Sequence, residues 1–315
     1  MGNVAATVDA VCGMKKQPRS TSMVRSRSRL ASPAVFAVLF IALLVLSTFA
    51  QDPGRFAGPL VSGNSEQKRD ALLQLRLYNS EAASRIAAAA ISDPDELVRA
   101  TAIGAIGRLP ASEVSTLLVP LLFDKAEFIR REAAYTLGEV RSLDAVSPLS
   151  LVVAKDKASI VRAAAAAALG KIGSQSGLDA LANIFRKRPG SGTEYLRRVA
   201  AHSIGEIAEK VRFGTNERGL TQTTPTNFLP QKYKRPVAPT NPEPPDPAFS
   251  GALSLLLKAA NDRRESADTR REIAFALGAI GDPSAIKFLN ANASSPDVYL
   301  AEICKEALLK IRIGQ

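Results

Sequence analysis

The chain has 315 residues, with 41 Lys+Arg against 30 Asp+Glu and a formal net charge of +11. One histidine and two cysteines do not supply the several converging ligands that metal catalysis wants. No tryptophan and only five tyrosines argue against a carbohydrate platform or a groove that stacks single-stranded bases.

At the front, Arg25, Arg27 and Arg29 precede the uncharged stretch Leu30–Ala50. Thr48 and Ala50 fit the small residues before a signal-peptidase cut, so Gln51 would begin the mature protein. Left uncleaved, the same stretch is long enough to span a bilayer. Signal peptide and signal anchor both stay open. In either case the positive flank stays in the cytoplasm and the rest is expected to be exported: periplasmic, secreted or held at the membrane by residues 30–50. Met23 offers a second start with a more ordinary leader. Residues 51–64 read as a linker. From residue 51 onward, 35 Lys+Arg face 29 Asp+Glu, a net +6. That mild excess is not the dense patch that phosphate binding calls for, so no nucleic acid partner is expected. Cys12 lies in the leader. Cys304 alone cannot close an internal disulfide, and beside Ile303 it reads as a small buried side chain.

From Lys68 onward a period of about thirty-one residues takes over. An arginine followed eight residues later by glycine recurs as Arg99/Gly107, Arg130/Gly138, Arg162/Gly170, Arg197/Gly205 and Arg270/Gly278. With the arginine as zero, position −1 holds Val98, Ile129, Val161, Leu196 and Thr269, and position +3 holds Ala102, Ala133, Ala165, Ala200 and Ile273. Position +7 holds Ile106, Leu137, Leu169, Ile204 and Leu277. Steps of four place these on one helical stripe. Each such helix is followed by a turn and a second apolar helix, as over Ser112–Phe123 and Leu143–Ala154. Pro120 falls deep in its helix and is expected to bend or shorten it. A fixed period of this size marks a solenoid, whose units bury their apolar faces against neighbours.

An aspartate stands six residues before the arginine in Asp93/Arg99, Asp124/Arg130 and Asp156/Arg162. Here the chain resembles the HEAT family, in particular the short HEAT-like repeats of phycobilisome lyases, over about 245 residues from Lys68. The resemblance implies an all-α, right-handed, armadillo-like solenoid of about seven helical hairpins over residues 65–315. It also implies a structural ladder between adjacent repeats, to which Asp93, Arg99, Asp124, Arg130, Asp156, Arg162, Arg197 and Arg270 would belong.

The step from Arg197 to Arg270 is longer because 214–247 carries eight prolines and is expected to be an extended or disordered insertion between the two helices of one unit. Within it Lys232, Tyr233, Lys234 and Arg235 form a basic motif that could dock a partner.

Chemistry is sparse. His202 reads as a packed or half-exposed helix residue, and Glu132, Glu139 and Glu206 read as solvated surface. There is no His-Glu pair, so the deoxyhypusine hydroxylase activity found on this type of repeat is not supported. Nucleophile elbows and phosphate loops are also lacking. The reading is an exported, non-catalytic scaffold that binds a protein partner through its second-helix surface, without cofactor or metal. The alternative is an enzyme subunit or accessory factor of the phycobilisome-lyase type.

Overall fold

A computed structural model of the chain describes residues 52–190, 192–214 and 245–313. The leader 1–50, most of the 214–247 insertion and the 232–235 motif lie outside the described residues. The unit that begins at Asp52 is all-helical.

Residues 51–64 were expected to be a linker, and the structure corrects this. Asp52 Oδ1 accepts from the Gly54 amide at 2.8 Å and starts a 3-10 turn, Pro53–Phe56, which runs into α1 (Ala57–Ser62). Leu60 is buried, and the Phe56 ring meets Tyr78 edge-on. Apolar Phe56 and Leu60 have a face to cover on the first hairpin, so the segment packs there.

Seven units follow. Their first helices are α2 (Ser65–Tyr78), α4 (Glu96–Ala105), α6 (Glu127–Glu139), α8 (Ser159–Ile172), α10 (Glu194–Phe213), α12 (Ala267–Ile280) and α14 (Val298–Ile313). Their second helices are α3 (Glu81–Ala87), α5 (Ala111–Leu118), α7 (Val146–Lys155), α9 (Leu178–Ala182), α11 (Ser250–Ala260) and α13 (Ile286–Asn292). The seventh unit contributes a first helix alone. First helices pack on one another in chain order, and every residue at −1, +3 and +7 in the five arginine-bearing units is buried. The core is therefore one continuous strip along the stack.

Small residues set how closely the helices approach. A Cβ on Gly138 would stand 2.7 Å from Ala168 Cα, and one on Gly278 would stand 2.7 Å from Ala307 Cα. Both glycines lie where a first helix crosses the next, so their missing side chain lets the backbones touch. The second helices are short and often finish as 3-10 turns. Pro120 shows why: α5 stops at Leu118, and the chain restarts as the 3-10 turn Pro120–Phe123 because proline cannot donate to the preceding turn. Gly173 and Gly281 end α8 and α12 in left-handed conformations that satisfy the last carbonyls.

Candidate partner-binding surfaces and the ladder that aligns them

The ladder residues sit where the loop from one second helix enters the next first helix. Each arginine faces two ways. Arg130 Nη1 donates to the carbonyls of Asp124 and Lys125 in its own unit, at 3.0 and 3.3 Å. Its Nε and Nη2 donate to Asp156 of the following unit, at 2.6 and 3.1 Å. Arg99 repeats the pattern, with its own Asp93 and Pro94 carbonyls on one side and Asp124 3.7 Å away on the other. Lys68 starts the series against Asp93 at 2.7 Å. The aspartates also work locally: Asp93, Asp124 and Asp156 each accept from the amide two residues on and so shape the entry to the helix. Burial alone would raise the Asp156 carboxyl, but the Arg130 guanidinium and the Ala158 amide hold it below the usual carboxylate range.

Two of the expected ladder residues take other partners. Arg162 donates to the Val153 carbonyl at 2.7 Å, at the end of α7. The next unit has Ser191, not aspartate, at the matching position. Arg270 donates to the carbonyls of Ala260, Asp262 and Glu265. Its rung passes to the neighbouring Arg271, which holds Asp297 at 2.9 Å.

The junction across the insertion is the most buried rung. Arg197 and Glu265 are 2% and 1% exposed, and Arg197 Nε donates to both Glu265 oxygens at 3.0 and 3.1 Å. Nη1 of Arg197 also caps the carbonyls of Ile184 and Lys187. The extended α10 adds further ties. Arg212 is buried and donates to the Gly278 and Ala279 carbonyls at the end of α12, at 3.3 and 3.0 Å, and burial pushes its pKa down. Lys210 donates to the Ile172 carbonyl at 2.7 Å. Cations placed at helix C-termini in this way complement the helix dipoles. Glu265, Arg271 and Arg212 escape a reading by period because they stand off its phase.

His202 belongs to this junction as well. Its Nδ1 lies 3.1 Å from Glu272 on α12, and its Nε2 lies 3.6 Å from Glu206. Its ring stacks on Phe275. Burial would lower its pKa, but the two carboxylates raise it to about 10, so the ring carries a charge at neutral pH. Glu206, expected on the solvated surface, is therefore a half-buried partner of an imidazolium. Glu139 pairs with Lys171, and Glu132 pairs with Arg131. Cys304 is buried, and burial pushes its thiol up to about 12. Among the described residues no group of three or more His, Cys, Asp or Glu is placed to hold a metal. A hollow of about 330 Å³ at the ends of α2, α4 and α6 is lined by residues that include Arg76, Arg108, Glu132, Tyr135 and Glu139, a mixed-charge lining.

Family models match the same units. A HEAT-repeat model covers residues 83–166 and 129–205, and a PBS lyase HEAT-like repeat model covers residues 269–295. Residues 83–205 and 269–295 are HEAT repeats. Over 60 residues it is 35% identical to deoxyhypusine hydroxylase of Homo sapiens and 37% identical to that of Bos taurus. These stretches are 19% of this chain and 20% of each relative, so the chain spans about a fifth of the length of the curated relatives it matches. Among solved structures, an engineered protein is similar with a TM-score of 0.49 at 18% identity, over 82% of this chain and 68% of that one. The complex of CpcE and CpcF of phycocyanin lyase from Nostoc sp. PCC7120 gives 0.43 at 18% identity, over 84% and 93%.

The second-helix side of the HEAT repeats carries exposed apolar side chains. Phe123 ends the 3-10 turn after α5 and is 56% exposed, Leu143 opens the 3-10 turn before α7 and is 68% exposed, and Leu151 within α7 is 41% exposed.

Proposed function

We propose that this HEAT-repeat chain is an exported, non-catalytic scaffold that holds another protein against its second-helix surface. The observation that carries the reading is the exposure of Phe123, Leu143 and Leu151, three large apolar side chains in water on the second-helix segments of two neighbouring units. Large apolar side chains repeated along one side of a stack suit a surface that a partner covers. A solenoid offers long surfaces rather than a pocket, which suits a partner of similar size. Export rests on the charge and hydropathy pattern of residues 25–50, where three arginines precede an uncharged stretch.

A photo-cross-linking residue at Leu151 on the second-helix side, and another at Tyr135 on the first-helix side, test this in fractionated cells. The reading expects one discrete adduct from Leu151 in the envelope or secreted fraction, and none from Tyr135. An adduct from Tyr135 alone would put the partner on the other face, and adducts confined to the cytosol would remove export. Silence at both sites would remove the scaffold reading. Deleting 215–244 in the same cells asks whether Lys232–Arg235 contributes: an adduct lost with the arm assigns it a docking role.

A second reading, an enzyme subunit or accessory factor, draws on the PBS lyase HEAT-like match at 269–295. A chromophore or a stoichiometric metal in the purified protein would turn the assignment to it.

A further inference from the structure

Two positions before the ladder position, five of the seven units set a large apolar side chain in water, while Glu66 holds that place in the first unit and Asp268 in the sixth. Leu97 is 48% exposed, Phe128 36%, Ile160 39%, Tyr195 48% and Tyr299 51%. Single exposed apolar residues are ordinary. A row phased to the repeat is not, because stacking brings its members side by side. In the last three units, contacts between units join neighbouring row positions. The residue one place after the ladder arginine reaches the row position of the next unit: Arg198 Nη1 is 3.4 Å from Asp268, and the Arg271 guanidinium lies over the Tyr299 ring at 5.3 Å. Within units Arg131 covers Phe128 at 4.8 Å and Arg198 covers Tyr195 at 5.3 Å. An arginine therefore lies over the ring of the row in the third, fifth and seventh units.

The loops feeding these helices are basic. Lys125, Lys157, Lys187 and Arg263 are exposed and make no ion pair among the described residues; the exposed acids on the same stretch are Glu96, Glu127, Glu194 and Asp268, the last paired with Arg198.

We propose that this ridge docks an acidic segment of another protein in the polyproline II conformation. The inference rests on the scaffold reading and adds a second surface with a defined partner chemistry. Spacing selects the conformation. Neighbouring helices in a stack lie about 8–10 Å apart. A polyproline II chain repeats every three residues at about 3.1 Å each, so like positions recur every ~9 Å and meet one unit after another. A β-strand presents like positions every ~7 Å and falls out of step by the second unit. Exposed rings interleaved with arginines are the kind of surface proline-rich segments use, and the loop cations select acidic residues between the apolar ones.

The test is fluorescence anisotropy of the full-length protein with a labelled peptide of repeating Leu-Pro-Glu. Controls are the same peptide with glycine for proline, with lysine for glutamate, and a heptad-patterned helical peptide of similar charge. A single-stranded oligonucleotide and anionic vesicles complete the set. The Leu-Pro-Glu peptide should bind about tenfold or more tighter than each control, and more weakly as salt rises. The pair Ile160→Ser and Tyr195→Ser should weaken it about tenfold with an unchanged melting temperature, since both side chains are exposed. Lys157→Glu with Lys187→Glu should erase the preference for glutamate over lysine. Equal binding of the glycine or helical peptide overturns the conformation, and tighter binding of the oligonucleotide or vesicles overturns the partner class. A concentration-dependent dimer that disappears in the Ile160/Tyr195 variant assigns the ridge to a second copy instead. None of these results touches the Leu151 cross-link, so the ridge can fail while the scaffold stands.

Discussion

Arg130 binds in two directions, and that decides what its loss would cost. Its guanidinium satisfies two loop carbonyls and a buried carboxylate in the next unit. Arg130→Ala would strand Asp156, 7% exposed, without its counter-ion, so a loss of about 3–5 kcal/mol is expected. Arg162→Ala removes one bond to a carbonyl and should cost about 1 kcal/mol. Denaturant titration of both variants checks the contrast, and equal losses would mean that the inter-unit pair contributes nothing. His202 makes a pH-dependent contribution. Its folded pKa is raised from 6.5 to about 10, so the charged ring stabilises the fold fully below about pH 6.5. The benefit fades as pH rises through about 10. The melting-temperature gap between the native chain and His202→Gln should therefore be wide at pH 6 and close above pH 10, and a gap independent of pH would refute it. At this scale the repeating arginines are plain in the amino-acid order. The partners Glu265 and Glu272 are not, because each lies about 70 residues away beyond the insertion.

Helices in this stack approach as closely as their glycines permit. Alanine at Gly138 would gain about 1 kcal/mol of helix propensity. It would also drive a methyl into Ala168 Cα, where overpacking costs about 1–3 kcal/mol. The expected net outcome is a lower melting temperature for Gly138→Ala. Gly190→Ala, with open space around the new methyl, should leave it unchanged. Differential scanning fluorimetry of the pair separates crowding from propensity. First helices were legible because the 3.6-residue stripe continues for three turns or more. Second helices were legible as apolar runs but not as broken ones, since only Pro120 announces a break. The helix over Ala57–Ser62 left no periodic trace, being shorter than two turns, and its burial depends on Tyr78 and the first hairpin.

Over the whole molecule, one interruption has to be held shut. The two helices of the fifth unit are separated by a long insertion, yet α10 and α12 pack as tightly as any pair, locked by Arg197–Glu265, Arg212 and His202. Glu265→Ala should leave a buried cation at this joint, and unfolding should split into two transitions that divide the stack between α10 and α12. A single sharp transition by calorimetry, merely shifted down, would show that the apolar contact alone carries the coupling. The period made the stack readable end to end. It did not reveal the exposed row that starts at Leu97, because exposure depends on which flank of a helix the neighbours leave bare. The ladder also has a polarity. Wherever a rung is made, its cation reaches forward to the next unit's carboxylate; at the front Ser62 stands where an accepting acid would be, and at the back Ala301 stands where a donating cation would be. Two molecules brought front to back would meet with no rung to join them, so the ladder itself gives no help to growth into a filament.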